Sequence, residues 1–182
     1  MTIIVLTGRP GIGKTTIFLS AVENAKSRGY SIGGIMCPEI REGGVRKGFK
    51  IIDILTGEEN LLAHKELIPN GPRVGKYIVN PKAGEFGSRA ILRALNEADL
   101  IAIDEVGPME LKLYELRKAI INALSQNTKP VLAVVHYRLS DHTILRLLSN
   151  AERYVVTLEN RNILREKIIK RVLDVLTGKQ RI

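Results

Sequence analysis

A three-layer α/β fold around a mostly parallel five-strand core is predicted by three features of this 182-residue chain. Five short apolar or β-branched runs recur along it: TIIVLT (2–7), SIGGIMCP (31–38), LIAID (100–104), PVLAVVH (130–136) and YVVTL (154–158). These runs are nearly continuous rather than alternating, as strands buried on both faces of a parallel sheet require. Segments with helical apolar spacing separate them, which gives the β-α alternation of an open, doubly wound sheet. A hydrophobic fraction of 45% and a charged fraction of 26% are those of an ordinary globular protein, and the length predicts one domain, 1–182, not two.

The elements follow in order. After the first strand, Ile17, Ala21, Val22 and Ala25 fall on one helical face, and Gly29 is placed to end that helix. Residues 39–85 break the alternation. EIREGGVRKGFKIIDI reads as a strand, a Gly-Gly turn and a second strand bent at Gly48. Lys76 to Asn80 then supplies another short strand, so the segment is predicted to add antiparallel strands at the sheet edge. Leu113, Leu116, Ile120, Ile121 and Leu124 predict an amphipathic helix over 110–125. Leu164, Ile168, Val172 and Leu176 predict the last helix, ending at Gly178, with a solvated basic face.

Composition narrows the function classes. Cys37 is the one cysteine, which excludes a disulfide framework and fits a reducing cytoplasm. No leader is expected before residue 2, because the chain enters its first strand directly, and no apolar run approaches a membrane span. Trp is absent and glutamine occurs only at 126 and 180, a composition leaning toward a heat-tolerant source. The net charge of +9 is spread along the chain without an aromatic-basic cluster. It is read as solubility and attraction for anionic nucleotides, ahead of a dedicated nucleic-acid surface.

The strongest motif is GRPGIGKT, which matches G-x-x-x-x-G-K-[ST] between an apolar strand and a helix. Gly8, Gly11 and Gly13 allow the backbone, with Arg9, Pro10 and Ile12, to wrap phosphates so that its N–H groups point inward. The positive end of the following helix adds to that attraction. Lys14 is expected to reach the β- and γ-phosphates, Thr15 to ligate Mg²⁺, and Thr16 to lie near the α-phosphate.

LIAIDEVG supplies the partner element. Asp104 is expected to orient the Mg²⁺ ion. Glu105 is expected to position or deprotonate a water in line with the γ-phosphate, unless it is only an exposed acid at a strand end. In phosphate-loop folds of this catalytic-glutamate type the strand order is 5-1-4-3-2, so His136 ends the strand between the loop strand and the Asp-Glu strand. There it fits either a γ-phosphate sensor or a satisfied structural histidine. Arg138, Arg146, Arg161 and Arg165 follow the fourth and fifth strands and are candidates for an arginine on the γ-phosphate.

TGRPGIGKTT, GGIMCPEIREGG, KGFKIIDILTGE, VGKYIVN, IDEVGPMEL and LENRNIL occur in this order over nearly the whole chain. Together they resemble the THEP1 family of small nucleoside-triphosphatases, with Pro108 where a lysine is expected before Met-Glu-Leu. The resemblance implies a P-loop NTPase fold and hydrolysis of ATP, GTP, CTP and UTP or TTP with broad base tolerance. It carries nucleotide binding onto Gly8–Thr15 and onto Leu100, Ile101, Ala102, Ile103, Asp104, Glu105, Val106 and Gly107. Its place after the fifth strand makes Arg161, in the ENR triplet, the first choice among the arginines. Two other readings stay open: a nucleotide, nucleoside or polynucleotide kinase using 39–85 as an acceptor platform, and a nucleotide-gated nucleic-acid-binding module. The sequence leaves the oligomeric state undetermined.

Overall fold

The structure, a computed structural model, describes residues 1–178. Strand β1 (Ile3–Thr7) is buried along its whole length and leads through the glycine loop into α1 (Lys14–Ser27). That helix stops as predicted, with Gly29 in the left-handed region (φ 87°) and its N–H bonded to the Lys26 carbonyl at 3.0 Å.

Next comes β2 (Ile32–Met36), whose paired glycines have packing reasons. A Cβ on Gly34 would stand 2.1 Å from the Ala102 carbonyl oxygen, and one on Gly33 2.7 Å from the Ala94 methyl. The inserted segment forms β3 (Glu39–Glu42), β4 (Val45–Asp53), β5 (Glu59–His64), β6 (Arg73–Val74) and β7 (Tyr77–Val79). Gly43 and Gly44, with φ of 54° and 79°, make the tight turn between β3 and β4. The chain continues through α2 (Lys82–Glu97), β8 (Leu100–Val106), α3 (Pro108–Leu111), α4 (Tyr114–Ser125), β9 (Val131–Val135), α5 (His142–Leu147), β10 (Glu152–Val155) and α6 (Arg161–Leu176).

The ten strands among the described residues join one sheet, in the order β10-β1-β9-β8-β2-β4-β5-β7-β6, with β3 paired to β4. The first five are mutually parallel, and their sequence ranks give the predicted 5-1-4-3-2. From β4 outward the pairing is antiparallel, so the insert extends the sheet from β2. Ile4, Leu6, Ala102 and Val134 face α1 and α6, while Val5, Ile103 and Ala133 face α2, α4 and α5. Burial on both faces explains why the strands read as continuous apolar runs.

Two boundaries and one helix differ from expectation. The helix predicted over 110–125 is split, because Leu113 is extended (φ −97°, ψ 109°) between the single turn α3 and the longer α4. The fifth strand ends at Val155. Beyond it the Thr157 N–H bonds to Asn160 Oδ1 (2.8 Å) and the Asn160 N–H to Thr157 Oγ1 (3.3 Å), a side-chain-closed turn that leads into α6. Helix α2 has no counterpart in the sequence reading because Gly84 and Gly87 interrupt its pattern. Its glycines serve packing: a Cβ on Gly87 would lie 2.7 Å from Ile51 Cδ1. The buried Asp53 of β4 accepts from Arg93 of α2 at 2.7 Å and from the Leu55 N–H at 2.9 Å, tying the insert to the helical layer.

Candidate active site

The glycine loop turns off the carboxyl end of β1. Gly8 has φ 147° and a Cβ there would stand 2.6 Å from the Val156 carbonyl oxygen, while Gly11 and Gly13 have φ of 73° and 110°. Only glycine takes these conformations without strain. Lys14 is buried, and its ammonium donates to the carbonyls of Gly8 (3.1 Å) and Arg9 (3.2 Å), so it is held inside the ring of the loop. No side chain caps α1 and no acidic residue occupies its first turn. Its leading amides are therefore available to an anion.

A cavity of about 260 Å³ lies against this loop, lined on that side by Pro10, Gly11, Lys14 and Thr15. Strands β8 and β9 provide its second wall through Asp104, Glu105 and His136. Asp104 pairs with Val134 and Val106 with Val135, leaving Glu105 as an extra residue in the ladder. The bulge allows two consecutive side chains, which point to opposite faces in a regular strand, to reach the same cavity. Leu100, Ile101, Ala102, Ile103 and Val106 of the predicted nucleotide-binding run are fully buried in the core and do not line it. Their place is to carry Asp104 and Glu105.

Electrostatics within the cavity are dominated by buried carboxyls. Burial pushes Asp104 up to about 6 against the pull of the Thr15 hydroxyl, which hydrogen-bonds it, and of Lys14. Glu105 is pushed up to about 7, first by burial and then by Asp104. Glu110 of α3 reaches about 8 through burial and the nearby Glu105. Both glutamates stand over Gly107, where a Cβ would be 3.1 Å from Glu105 Oε1 and 3.2 Å from Glu110 Oε2. Cys37 hydrogen-bonds Glu110, and its surroundings raise its thiol well above the ordinary value, burial first. Burial, then Lys14 and Arg138, hold the His136 imidazole below its usual range. Its Nδ1 accepts the Arg138 N–H at 3.2 Å, so the ring proton sits on Nε2.

The third wall comes from the insert: Glu39 of β3, Arg46 and Phe49 of β4, and Val74 of β6. Sequence reasoning missed these residues, and it missed Glu110 and Cys37 as well. The remaining predicted residues lie outside this cavity. Gly8, Arg9 and Ile12 line a more open groove of about 640 Å³ shared with Val155 and Leu158. Arg161 opens α6 with its Cδ 3.8 Å from where a Cβ on Gly13 would stand, and it does not line the cavity. Arg138 stacks over the Tyr137 ring, 5.0 Å from its centroid. Arg165 lies beside Glu166 at 3.9 Å, and neither it nor Arg146 lines the cavity.

A protein-family model described as NTPase matches residues 3–169. The nucleoside-triphosphatase THEP1 of Thermofilum pendens is 45% identical over 175 residues, covering 94% of this chain and 95% of the relative. That of Hyperthermus butylicus is 47% identical over 171 residues, covering 93% and 90%. The chain belongs to the THEP1 family of nucleoside-triphosphatases. Among solved structures, that of THEP1 from Aquifex aeolicus superposes with a TM-score of 0.80 at 27% identity, covering 94% of this chain and 99% of that one. The solution structure of a human cancer-related nucleoside triphosphatase gives 0.77 at 29% identity, covering 94% and 97%. The P-loop NTPase fold read from the strand order is the fold shared with these two solved structures. Among the described residues of this THEP1-family chain, no helix is long and apolar enough to cross a membrane.

Thr15 and Asp104 offer hard oxygen donors side by side, and no group of three or more His, Cys, Asp or Glu able to hold a metal occurs among the described residues. A cation here would share its coordination with phosphate oxygens, the mode that suits Mg²⁺ and not a dedicated protein cage.

Proposed function

We propose that this nucleoside-triphosphatase removes the γ-phosphate of ATP, GTP, CTP and UTP with little regard for the base, using Mg²⁺ and a water activated by Glu105. One observation supports the reading most: Lys14, Thr15, Asp104, Glu105 and His136 line a single small cavity. In this scheme the loop amides and Lys14 seat the β- and γ-phosphates. Thr15 and Asp104 would hold the Mg²⁺, which when bound would neutralise charge on the phosphates.

Glu105 accepts the proton of a water whose oxygen bonds to the γ-phosphorus as the bond to the β,γ-bridging oxygen breaks. The nucleoside diphosphate leaves with that electron pair. His136, neutral with its proton on Nε2, donates a hydrogen bond to the γ-phosphate or the attacking water. Arg161 meets the nucleotide from outside the cavity, at the helix end of the loop. Base tolerance agrees with the absence of an Asn-Lys-x-Asp guanine signature after the Asp-Glu strand. A reducing cytoplasm suits the single free thiol of Cys37.

Phosphate release from the four triphosphates, with Mg²⁺ and with excess EDTA, tests the reading. Release from all four that stops with EDTA is expected. Confinement to one base overturns the broad specificity. Release only on adding a nucleoside, nucleotide or nucleic acid overturns hydrolysis and points to a phosphotransferase.

A further inference from the structure

We propose that Arg46, brought into the cavity by the inserted hairpin, is the arginine that acts on the γ-phosphate, supplied by the same chain that carries the glycine loop. The inference rests on the triphosphatase reading above and assigns the insert a part in it.

Placement is the first ground. Among the described residues, Arg46 and Lys14 are the only lysine or arginine side chains lining the cavity, and the acids there are Glu39, Asp104, Glu105 and Glu110. Lys14 serves the β- and γ-phosphates in the triphosphatase reading, and Arg46 is the second positive charge beside the same cavity. Arg138, Arg146, Arg161 and Arg165 do not line the cavity.

The second ground is how the side chain is aimed. Arg46 pairs with Arg41 and Gly48 with Ile40, which leaves Lys47 as an extra residue in the β3–β4 ladder. With that bulge, Arg46 and Phe49 share a face although three positions apart. The guanidinium lies 5.6 Å from the Phe49 ring centroid, and Phe49 is itself braced edge-on by Tyr77 at 5.3 Å. Glu39 holds one end of the guanidinium as an ion pair through Nη2. A stacked and paired guanidinium is set in orientation before substrate arrives, so little rotamer freedom is lost when it engages a phosphate.

The third ground is an unused donor. Arg46 Nε is buried and has no hydrogen-bond partner among the described residues. A desolvated N–H without an acceptor is costly and uncommon in folded proteins. Guanidinium N–H groups match phosphate oxygens in pairs, so a phosphate that meets the accessible part of this side chain has donors of the right charge. During hydrolysis Arg46 takes up no proton. It donates hydrogen bonds to the γ-oxygens while water bonds to phosphorus, the bridging bond breaks, and Glu105 receives the water's proton.

The test compares Arg46→Ala and Arg46→Lys with the wild type. The measurements are kcat for Mg-ATP, affinity for ADP, and affinity for ADP with aluminium fluoride, which mimics the phosphoryl group in transfer. Arginines on the γ-phosphate are worth about 10³–10⁵ in rate where dissected. The expected result is a fall in kcat of tenfold or more in both variants, with ADP affinity within twofold of the wild type and tight fluoride-complex binding lost. Lysine cannot reproduce the planar fork, so Arg46→Lys serves even if the alanine variant does not fold. A smaller fall in kcat in Arg46→Lys or a folded Arg46→Ala overturns the assignment. So does equal weakening of ADP and its fluoride complex, the mark of a purely structural arginine. A wild type without turnover defeats the triphosphatase reading itself. A wild type stopped by Glu105→Gln but indifferent to Arg46 defeats only this inference.

Discussion

Replacing Glu110 by Gln should stabilise the nucleotide-free protein at neutral pH, and the size of the gain follows from burial. Glu110 is 5% exposed, its carboxyl shares the space over Gly107 with Glu105, and its pKa is pushed from an ordinary 4.5 up to about 8. Between those values the folded chain holds a proton that the unfolded chain has released, so stability must fall as pH rises through that window. At about 1.4 kcal/mol per pH unit, the ~2.5 units from 4.5 to 7 amount to about 3 kcal/mol. Glutamine keeps the volume and an oxygen to accept from Cys37, and it cannot ionise. Urea unfolding at pH 5, 6, 7 and 8, without metal or nucleotide, is the assay. Glu110→Gln should unfold at higher urea than the wild type at pH 7, with the gap shrinking toward zero near pH 4.5 and growing toward pH 8. A variant no more stable than the wild type at pH 7, or a gap equal at pH 5 and pH 8, would refute the reasoning.

Two further changes probe the frame that carries the cavity. Gly34→Ala places a methyl 2.1 Å from the Ala102 carbonyl at a φ of 121°, which forces β2 away from β8. It should cost about 3 kcal/mol or more, or prevent folding, in the same urea assay. Arg93→Ala leaves the buried Asp53 carboxylate without its guanidinium. A loss of about 2 kcal/mol is expected, at the low side for a buried pair because Arg93 is partly exposed and Asp53 keeps its backbone donors. Unchanged stability would mean that the Asp53–Arg93 bond does not anchor the insert.

The parallel half of the sheet was legible because its strands are buried on both faces, which turns them into unbroken apolar runs whose shortness and β-branched content favour strands over buried helices. Its order followed from the phosphate loop and the Asp-Glu strand read together. The insert was only partly legible. The Gly43-Gly44 turn announced β3 and β4, whereas β5 carries Glu59 and Asn60 and β6 is two residues long, too brief for any periodicity. Helix α2 escaped because Gly84 and Gly87 weaken its pattern, yet the reason for Gly87 is tertiary, the approach of Ile51 and Leu116.

The cavity divides along the same line. Lys14, Thr15, Asp104 and Glu105 belong to local motifs with fixed spacing, so they could be named from the sequence. Arg46 and Glu39 reach the cavity through an antiparallel pairing and a bulge at Lys47, which no local spacing encodes. Glu110 gave only a faint signal, an acid within the apolar stretch VGPMEL. Arg161 was chosen by chain position, and the first residue of α6 lies beside the loop but outside the cavity.

The central claim is that Glu105 activates the water that attacks the γ-phosphate. Its most direct test is the single-turnover rate of phosphate release by Glu105→Gln and by the wild type, each with Mg-ATP at matched nucleotide occupancy. A variant that binds ATP as the wild type does but releases phosphate at least tenfold more slowly is the predicted result. Release within twofold of the wild type at equal occupancy would contradict the account, leaving Glu105 as only an acid at the end of β8.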